Sequence, residues 1–495
     1  MKYYLLITIA VLCSRYGFSQ KENYNWVFGD SAGLNFSSSV PEYFSSSIWS
    51  AEACSSISDS AGNLLFYTNG QKVWNRFNEI MPNGDDIDIG FVVLDFGSSI
   101  TQGVTIIPKP LSTNLYYIIY RANIGIKYSI VDMNMDEGYG DIIEKNIVLD
   151  TSIYQYTEKM QVIKHGNGRD YWLVFYAGDD YVEIGDNMMF ISYLITSDGI
   201  EDPILVQDAS PYTVPFGTVG QMKFSQDGSL LINTRFTNLD IYDFDRCSGL
   251  ISNYRIVSNI SDSPLYGCEI SKDNKKLYVG TIGENNQGFI WQFCITDIPI
   301  EETKILIYDN EGGGGSWGKS IGSFQMAPDG KIYMPMAYSG LGYYYEVYQN
   351  LYLSVINEPN ECGLACDFDT LTVWLGGNRA TYSLPNICDY SLGVLIGSEC
   401  DTSSTAIYDE DNEKNAIQIY PNPANEYIII SGDIKSNDII KIYSADGRVV
   451  LHKKINTTNT KVDISMLPPG VYVIQISEDG WVKYSEKLFI NRNDN

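Results

Sequence analysis

Acidic side chains offer the most direct chemistry in this sequence, and they cluster in the stretches NGDDIDIG and AGDDYVEIGDN. The candidates there are Asp85, Asp86, Asp88, Asp179 and Asp180. Carboxylate oxygens bind calcium, and a pair of carboxylates can hydrolyse a glycosidic bond. However, neither stretch has EF-hand spacing, and a chain with 61 acidic residues produces such clusters by chance. We therefore expect solvated loops and no cofactor, with calcium as the alternative.

Nucleophilic catalysis has little support in this sequence. Only two histidines occur, His165 and His452, and a serine triad needs a histidine base. His165 lies in the turn-like KHGNGRD, where we expect a solvated side chain. No G-x-S-x-G, H-E-x-x-H or P-loop pattern appears, and EGGGGSWGKS (residues 311–320) reads as a loop. We therefore predict no catalytic residue.

Aromatic residues suggest binding instead. The stretch YSGLGYYYEVY contains Tyr343, Tyr344 and Tyr345 in succession. Because successive strand residues point to opposite faces, these three side chains cannot all face a core. Tyrosine-rich surfaces stack on sugars and on proteins. These three tyrosines are the predicted binding surface.

Charge and the first residues limit the partners and the location. The chain has 33 basic and 61 acidic residues, a net charge of −28, which disfavours nucleic acid and anionic membranes. Residues 1–20 combine Lys2, an eleven-residue apolar run and small residues, which is the pattern of a signal peptide. No later stretch has eighteen uninterrupted apolar residues, so we predict no membrane span.

Eight cysteines follow the predicted signal peptide, and an exported chain with an even number of cysteines is expected to form disulfides. Their pairing stays open from the sequence alone. A zinc site at C-G-L-A-C is disfavoured, because no second close pair or histidine lies near it. The eight are Cys54, Cys247, Cys268, Cys294, Cys362, Cys366, Cys388 and Cys400.

A repeated turn organises residues 21–398, which show short aromatic and β-branched strands and no long helical period. The turns are 46 to 60 positions apart, with a mean near 54. This period, with four short strands per unit, predicts an all-β fold, a β-propeller with seven blades favoured over six or eight. Two packed sandwiches are the alternative. The turn residues are Gly62, Asn114, Gly168, Gly228, Asn274 and Gly330.

Closure of such a ring requires the first and last blades to meet. We predict that NYNWVFGDSAGLNF (residues 23–36) adds strands to the last blade, beside strands formed by LTVWLG and TYSLPNIC. Most of residues 24–390 also resemble the N-terminal propeller of many exported Bacteroidota proteins. The resemblance is carried by the stretches NWVFGDSAGLNF, IIPKP, YSIVDMNMDEGYGDI and SLPN. The resemblance implies a WD-repeat-like propeller in a surface or secreted protein, with no common reaction.

The C-terminal region reads as a separate domain. Residues 399–416 are acidic and suit a linker, and residues 417–495 alternate as a small antiparallel β-sandwich. We expect the two prolines of YPNP to hold an extended edge segment before a strand, because proline cannot donate a ladder hydrogen bond. The spaced motifs are Tyr420, Pro421, Asn422, Pro423, Gly447, Leu467, Pro468, Gly470 and Tyr472.

These motifs resemble the C-terminal sorting domain, type A, of the type IX secretion system, over residues 417–491. The resemblance implies that the domain contacts the type IX machinery, directs passage across the outer membrane and is usually cleaved off. The protein would then be secreted or displayed on the outer cell surface.

Three hypotheses for the molecular role follow. The favoured one is a non-enzymatic propeller that binds a glycan or a protein, and it predicts no convergent acid pair at the ring centre. The second is a secreted carbohydrate-active enzyme, which requires two close carboxylates there, one with a raised pKa. The third is a structural element of a surface appendage.

Overall fold

The computed structural model describes most of the chain after the predicted signal peptide, in two compact units, residues 1–403 and 404–495. The described ranges are residues 21–92, 97–151, 155–178, 188–203, 205–208, 218–282, 288–297, 299–310, 320–337, 348–401, 417–432, 434–436, 438–444, 448–455, 460–478 and 481–492. None of the helices in these ranges has the length and apolarity needed to cross a bilayer.

The described strands of the first unit form seven antiparallel sheets, each continuous in sequence. Sheet 1 contains β1 (Asn25–Phe28), β2 (Asp30–Asn35) and β3 (Glu42–Trp49), and sheet 2 contains β4 (Ser55–Ser58), β5 (Leu64–Thr68) and β6 (Val73–Asn75). Sheet 3 contains β7 (Val104–Pro108), β8 (Leu115–Arg121), β9 (Ile126–Asp132) and β10 (Asp141–Asp150). Sheet 4 contains β11 (Gln155–Lys164), β12 (Tyr171–Gly178), β13 (Met188–Thr196), β14 (Gly199–Ile200) and β15 (Leu205–Asp208).

The remaining three sheets follow the same plan. Sheet 5 contains β16 (Met222–Phe224), β17 (Leu230–Arg235), β18 (Asn238–Phe244) and β19 (Ile251–Val257), and sheet 6 contains β20 (Leu265–Ile270), β21 (Lys276–Thr281), β22 (Phe289–Cys294) and β23 (Ile305–Asp309). Sheet 7 contains β24 (Ser320–Ile321), β25 (Gln325–Met326), β26 (Ile332–Ala337), β27 (Tyr352–Ile356) and β28 (Phe368–Trp374). Short 3₁₀ helices span Asp136–Gly138, Ile300–Thr303, Tyr348–Leu351 and Gly363–Cys366.

The contacts between sheets define a ring. The inner strands of successive sheets pack against one another, in the order β1, β4, β7, β11, β16, β20 and β25. Within each sheet the later strands pair outward in chain order, except that the short β14 and β15 both pair with β13 in sheet 4 and the short β24 and β25 both pair with β26 in sheet 7. This is a seven-bladed β-propeller, as the turn spacing predicts. The predicted turns all lie between the first two main strands of a sheet, and four of the glycines among them have positive φ, from 71 to 92°.

Ring closure differs from the prediction. Residues 25–35 do not add strands to the last blade: β1 and β2 pair with each other and with β3, so they form a blade of their own. Sheets 1 and 7 meet instead through side chains and through one backbone bridge, in which the Asp30 amide donates to the Arg379 carbonyl (2.8 Å) and the Arg379 amide donates to the Asp30 carbonyl (3.0 Å). Trp26, almost fully buried, lies 4.6 Å from Phe36 and 5.8 Å from Tyr333 between ring centroids. Arg379 forms an ion pair with Asp30.

The predicted strand TYSLPNIC is also wrong. After β28 the chain runs through the ring centre as an extended segment without ladder pairing, and residues 380–390 are mostly buried there. We call residues 380–390 the axial segment. The Asn386 side chain bonds Gln161 Nε2 (2.9 Å) and the Met160 carbonyl (3.2 Å), and its backbone amide donates to the Cys54 carbonyl (2.8 Å). The Tyr390 hydroxyl donates to the Ile106 carbonyl (2.8 Å).

One disulfide is present among the described residues, between Cys247 and Cys400. It ties the β18–β19 connection to the chain that leaves the axial segment. Gly166 packs directly against it, since a Cβ there would lie 2.3 Å from the Cys400 sulfur. The other six cysteines for which we expected disulfides are free thiols. Four of them are buried: Cys54, Cys268, Cys366 and Cys388.

The second unit is a small β-sandwich, as predicted. One sheet contains β29 (Gln418–Tyr420), β30 (Tyr427–Ser431) and β33 (Thr460–Asp463). The other contains β31 (Ile439–Ser444), β32 (Val449–Lys454), β34 (Gly470–Glu478) and β35 (Trp481–Ile490). The two sheets enclose an isoleucine-rich core that includes Ile428, Ile430, Ile440, Ile442 and Ile474.

Candidate functional site

The sorting motifs of the second unit form hydrogen-bonded turns. The sequence suggested that Pro421 and Pro423 hold an extended edge segment before a strand, and this is wrong. They lie in the turn between β29 and β30, and each follows a cis peptide bond. Asn422 lies between them and bonds the backbone of β35, donating to the Lys487 carbonyl (2.7 Å) and accepting from the Phe489 amide (2.9 Å). The YPNP turn therefore fastens the start of the domain to its last strand.

The second motif, LPPGVY, is held in a similar way. Leu467 is buried, Gly470 begins β34, and the Tyr472 hydroxyl donates to the Pro468 carbonyl (2.7 Å). Arg492, near the end of the chain, donates to the Leu467 carbonyl (2.8 Å). Tyr420 is 45% exposed, and Gly447 lies outside the described residues. These turns give the domain fixed surface features without any catalytic group.

A convergent acid pair lies at the ring centre, and no sequence motif indicated it. Glu52 precedes β4 and Glu158 lies in β11, and both are half-buried. The Thr101 hydroxyl bridges them, at 3.1 Å from Glu52 Oε2 and 2.7 Å from Glu158 Oε2. The Tyr266 hydroxyl donates to Glu52 Oε2 (2.6 Å) and contacts Ser383 of the axial segment (3.2 Å). The predicted absence of an acid pair under the binding hypothesis is therefore wrong.

Burial, followed by the Glu158 charge, raises the pKa of Glu52 to about 8. Burial also raises the pKa of Glu158, opposed by hydrogen bonds from Thr101 and by the charge of Arg121. Because Thr101 has one hydroxyl hydrogen, it can donate to only one of the two carboxylates. A protonated Glu52 resolves this: it donates to Thr101, which then donates to ionised Glu158. A single proton on Glu52 thus satisfies the hydrogen bonds of the pair.

Replacing Glu52 tests this assignment. Since the pKa of Glu52 is about 8 in the fold against an ordinary value of 4.5 for a glutamate, the folded chain binds the extra proton, and its unfolding free energy falls as pH rises between these values. Glu52→Gln mimics the protonated acid. We expect equal melting temperatures near pH 4.5 and a variant more stable by up to about 5 kcal/mol at pH 9.

Thermal melting of wild type and variant from pH 4.5 to pH 9 measures this difference. The matched control is Glu79→Gln, at an exposed glutamate, which should leave the pH profile unchanged. A constant difference between Glu52→Gln and wild type at every pH would contradict the proton on Glu52.

A polar cavity of about 170 Å³ lies at the other end of the first strands, beside the hairpin turns. Two of its charged groups, Lys223 and Glu269, already have partners within the protein. Lys223 Nζ lies 2.6 Å from Gln325 Oε1 and 3.3 Å from Glu269 Oε2, and Glu269 accepts the Met326 amide (3.0 Å). A cavity this small with paired polar groups suits water better than a ligand of drug or disaccharide size.

An exposed aromatic surface lies on the outer edges of sheets 1 and 7. Tyr348, Tyr352 and Trp374 are in ring contact, with centroid distances of 4.9 and 5.0 Å. Tyr348 is 61% exposed and Trp374 is 40% exposed. Tyr43 of β3, 56% exposed, packs against Gly376 just beyond Trp374. We call Tyr43, Tyr348, Tyr352 and Trp374 the aromatic surface.

Other predicted residues have ordinary roles or cannot be described. Asp88 forms an ion pair with Lys127 (2.5 Å), while Asp85 and Asp86 are exposed. Across the described residues, no group of three acidic, histidine or cysteine side chains is arranged to hold a metal ion. The predicted candidates Tyr343, Tyr344, Tyr345, Asp179 and Asp180 lie outside the described residues, as does most of EGGGGSWGKS.

His165 is not solvated, contrary to the prediction. It is 9% exposed and packs 5.7 Å from Trp172 between ring centroids. Its Nδ1 accepts the Asn167 amide (3.1 Å), so Nε2 carries the proton and donates to the Cys247 carbonyl (2.9 Å). With both nitrogens engaged, this imidazole supports a turn and offers no free base.

Comparison with known proteins locates one family in the chain. Residues 418–491 match the family described as the secretion system C-terminal sorting domain. The ulvan lyase NLR42 of Nonlabens ulvanivorans is 24% identical over 107 residues, or 21% of this chain. The chain spans about a fifth of the length of that curated relative.

Solved structures show only distant likeness. PorZ, an essential surface component of the type IX secretion system of Porphyromonas gingivalis, is 11% identical with a TM-score of 0.22, over 95% of this chain and 80% of that one. The Cps50 (Swd1) β-propeller domain of Myceliophteria thermophila is 11% identical with a TM-score of 0.34, over 63% and 93%. The propeller assignment therefore rests on the strand pairing described above. Together with the family match, it identifies the chain as a β-propeller protein with a C-terminal sorting domain that marks it for export across the outer membrane by type IX secretion.

Proposed function

We propose that the exported propeller is a non-enzymatic binding protein, and that a neutral glycan stacks on the aromatic surface. The observation that carries this proposal is the exposure of Tyr348 and Trp374 in one contiguous cluster with Tyr352. Exposed aromatic groups of this kind usually mark interaction sites, because leaving them in water has a free-energy cost.

The chemistry of the aromatic surface favours a sugar. The ring faces offer apolar area for the C–H face of a pyranose, while the hydroxyls of Tyr348 and Tyr352 offer polar tips. A stable protein interface buries about 800 Å² on each partner, far more than four side chains supply. The net charge of −28 disfavours polyanionic glycans. A neutral polysaccharide fits these conditions best.

The acid pair favours a second candidate, a glycoside hydrolase. Glu52 and Glu158 are close together, and the pKa of Glu52 is raised, as a general acid requires. However, the two catalytic groups of a hydrolase must flank the scissile bond, and the Thr101 side chain occupies the space between these carboxylates. Tyr266 and Ser99 also donate to Glu52, which leaves its oxygens engaged by the protein. The hydrogen bonds therefore favour a structural role for the pair.

Glycan binding by the propeller, screened on a glycan array and then quantified in solution, tests the proposal. We expect Trp374→Ala and Tyr348→Ala each to weaken binding by about tenfold or more, since aromatic anchors dominate such contacts. Ile124→Ala, at another highly exposed apolar side chain, is the matched control and should bind as wild type does.

Three outcomes would contradict the proposal. Unchanged affinity in Trp374→Ala would exclude the aromatic surface as the binding site. If the propeller bound no glycan, glycans would be excluded as its ligands. Release of reducing ends, abolished in Glu52→Gln and Glu158→Gln, would support the hydrolase instead.

A further inference from the structure

Two of the free thiols lie on neighbouring blades in a pairing that the sequence left open. Cys294 is the last residue of β22 in sheet 6, and Cys362 lies in the β27–β28 connection of sheet 7, just before the 3₁₀ helix Gly363–Cys366. We propose that Cys294 and Cys362 form a second disulfide in the exported protein, made by exchange with an external disulfide oxidant.

Gln292 positions Cys362 over the strand. Its Nε2 donates to the Glu361 carbonyl and its Oε1 accepts the Gly363 amide, both at 2.7 Å, so it holds the residues on either side of Cys362. Cys294 is two residues further along the same strand. Because side chains alternate along a strand, Gln292 and Cys294 project from the same face.

Tyr278, on the adjacent strand β21, fixes the same connection from a second point. Its hydroxyl donates to the Pro359 carbonyl (2.9 Å) and accepts from Gln292 Nε2 (2.7 Å). The connection that contains Cys362 is therefore held against two strands of sheet 6. With this support, Cys362 is held beside the end of β22, where Cys294 lies.

Exposure distinguishes this pair from the other free thiols. Cys362 is exposed and Cys294 is partly exposed, whereas Cys54, Cys268, Cys366 and Cys388 are buried. Burial, together with the neighbouring Cys294, raises the pKa of Cys362. Since the thiolate is the reactive form, oxidation should be faster at alkaline pH. The exported chain meets an oxidising environment, and its Cys247–Cys400 disulfide is compatible with one.

The exchange proceeds in two balanced steps. The Cys362 thiolate attacks one sulfur of the oxidant's disulfide and forms a mixed disulfide, and the other half of the oxidant leaves as a thiolate. The Cys294 thiolate then attacks the Cys362 sulfur and displaces the second half. The protein loses two protons and two electrons, and the oxidant is reduced to two thiols.

Peptide mapping of the full-length protein collected from the culture medium tests this pairing. Free thiols are blocked with iodoacetamide before digestion without reductant. We expect a linked peptide pair that contains Cys294 and Cys362, alongside the Cys247–Cys400 pair as an internal control. Alkylated Cys294 and Cys362 beside an intact Cys247–Cys400 link, or a Cys362–Cys366 link, would overturn the proposal.

Thermal melting gives a second readout. A link between Cys294 and Cys362 restricts the unfolded chain, so we expect Cys362→Ser to melt about 5 °C below wild type after treatment with oxidised glutathione. The two proteins should melt together in dithiothreitol, because serine fits an exposed site and only the link differs. A difference that persists in dithiothreitol, or none under oxidising conditions, would count against the disulfide.

Discussion

A chain truncated after Ser403 is expected to fold as a ring and to remain within the cell envelope, while the full-length protein reaches the culture medium. The truncation removes the sorting domain and keeps Cys400 with its disulfide. The described ring contacts lie before residue 401, so the melting temperature of the ring should not change. Export, in contrast, should fall to background, because the sorting domain at residues 418–491 is absent.

Cell fractionation followed by immunoblotting measures the export. The matched control is a full-length chain with Asn422→Ala, which removes two hydrogen bonds between the YPNP turn and β35. We expect this variant to be exported less than wild type and more than the truncated chain, since each such hydrogen bond contributes about 1 kcal/mol to the stability of the sorting domain. Secretion of the truncated chain at the wild-type level would refute the role of the second unit.

Replacing Trp26 with alanine should give the largest loss of stability from a single substitution considered for this ring. Trp26 is 1% exposed and packs between Phe36 and Tyr333, where sheets 1 and 7 meet. Removing a fully buried tryptophan costs about 3–5 kcal/mol. For a ring of this size we expect the melting temperature to fall by roughly 5–10 °C. Sheets 1 and 7 share no strand, so this aromatic packing and the Asp30–Arg379 contact are what we expect to join them.

Trp374→Ala is the matched control for this prediction. The same residue type is removed, yet Trp374 is 40% exposed on an edge strand, so its loss should cost less than about 1 kcal/mol. Differential scanning calorimetry compares both variants with wild type. Equal losses in the two variants would show that ring closure does not depend on the Trp26 contact.

The propeller could be predicted from the sequence because its signal is local. A residue such as Gly228 marks a hairpin through its own backbone conformation, with a φ of 75°, and the spacing of that turn favours seven blades over six or eight. The sorting domain could be recognised for the same reason, since a few adjacent residues specify each of its turns.

The candidate site could not be predicted, because it depends on contacts between distant residues. Glu52 and Glu158 are 106 positions apart and meet through Thr101 only when the ring closes. TYSLPNIC was predicted to be a strand, yet in the fold Asn386 of this stretch forms hydrogen bonds to neighbouring blades and not to a β-ladder. His165 appeared solvated because its turn is polar, whereas Trp172 and Cys247 cover it in the fold.

The position of the Cys247–Cys400 disulfide has a consequence for maturation. The axial segment precedes this crosslink, and the described chain after it belongs to the acidic stretch and the sorting domain. A peptidase that cuts after Cys400 would therefore release the sorting domain without removing any of the described residues that join the blades. Before and after such processing, the extracellular product would have the same resistance to heat and denaturant.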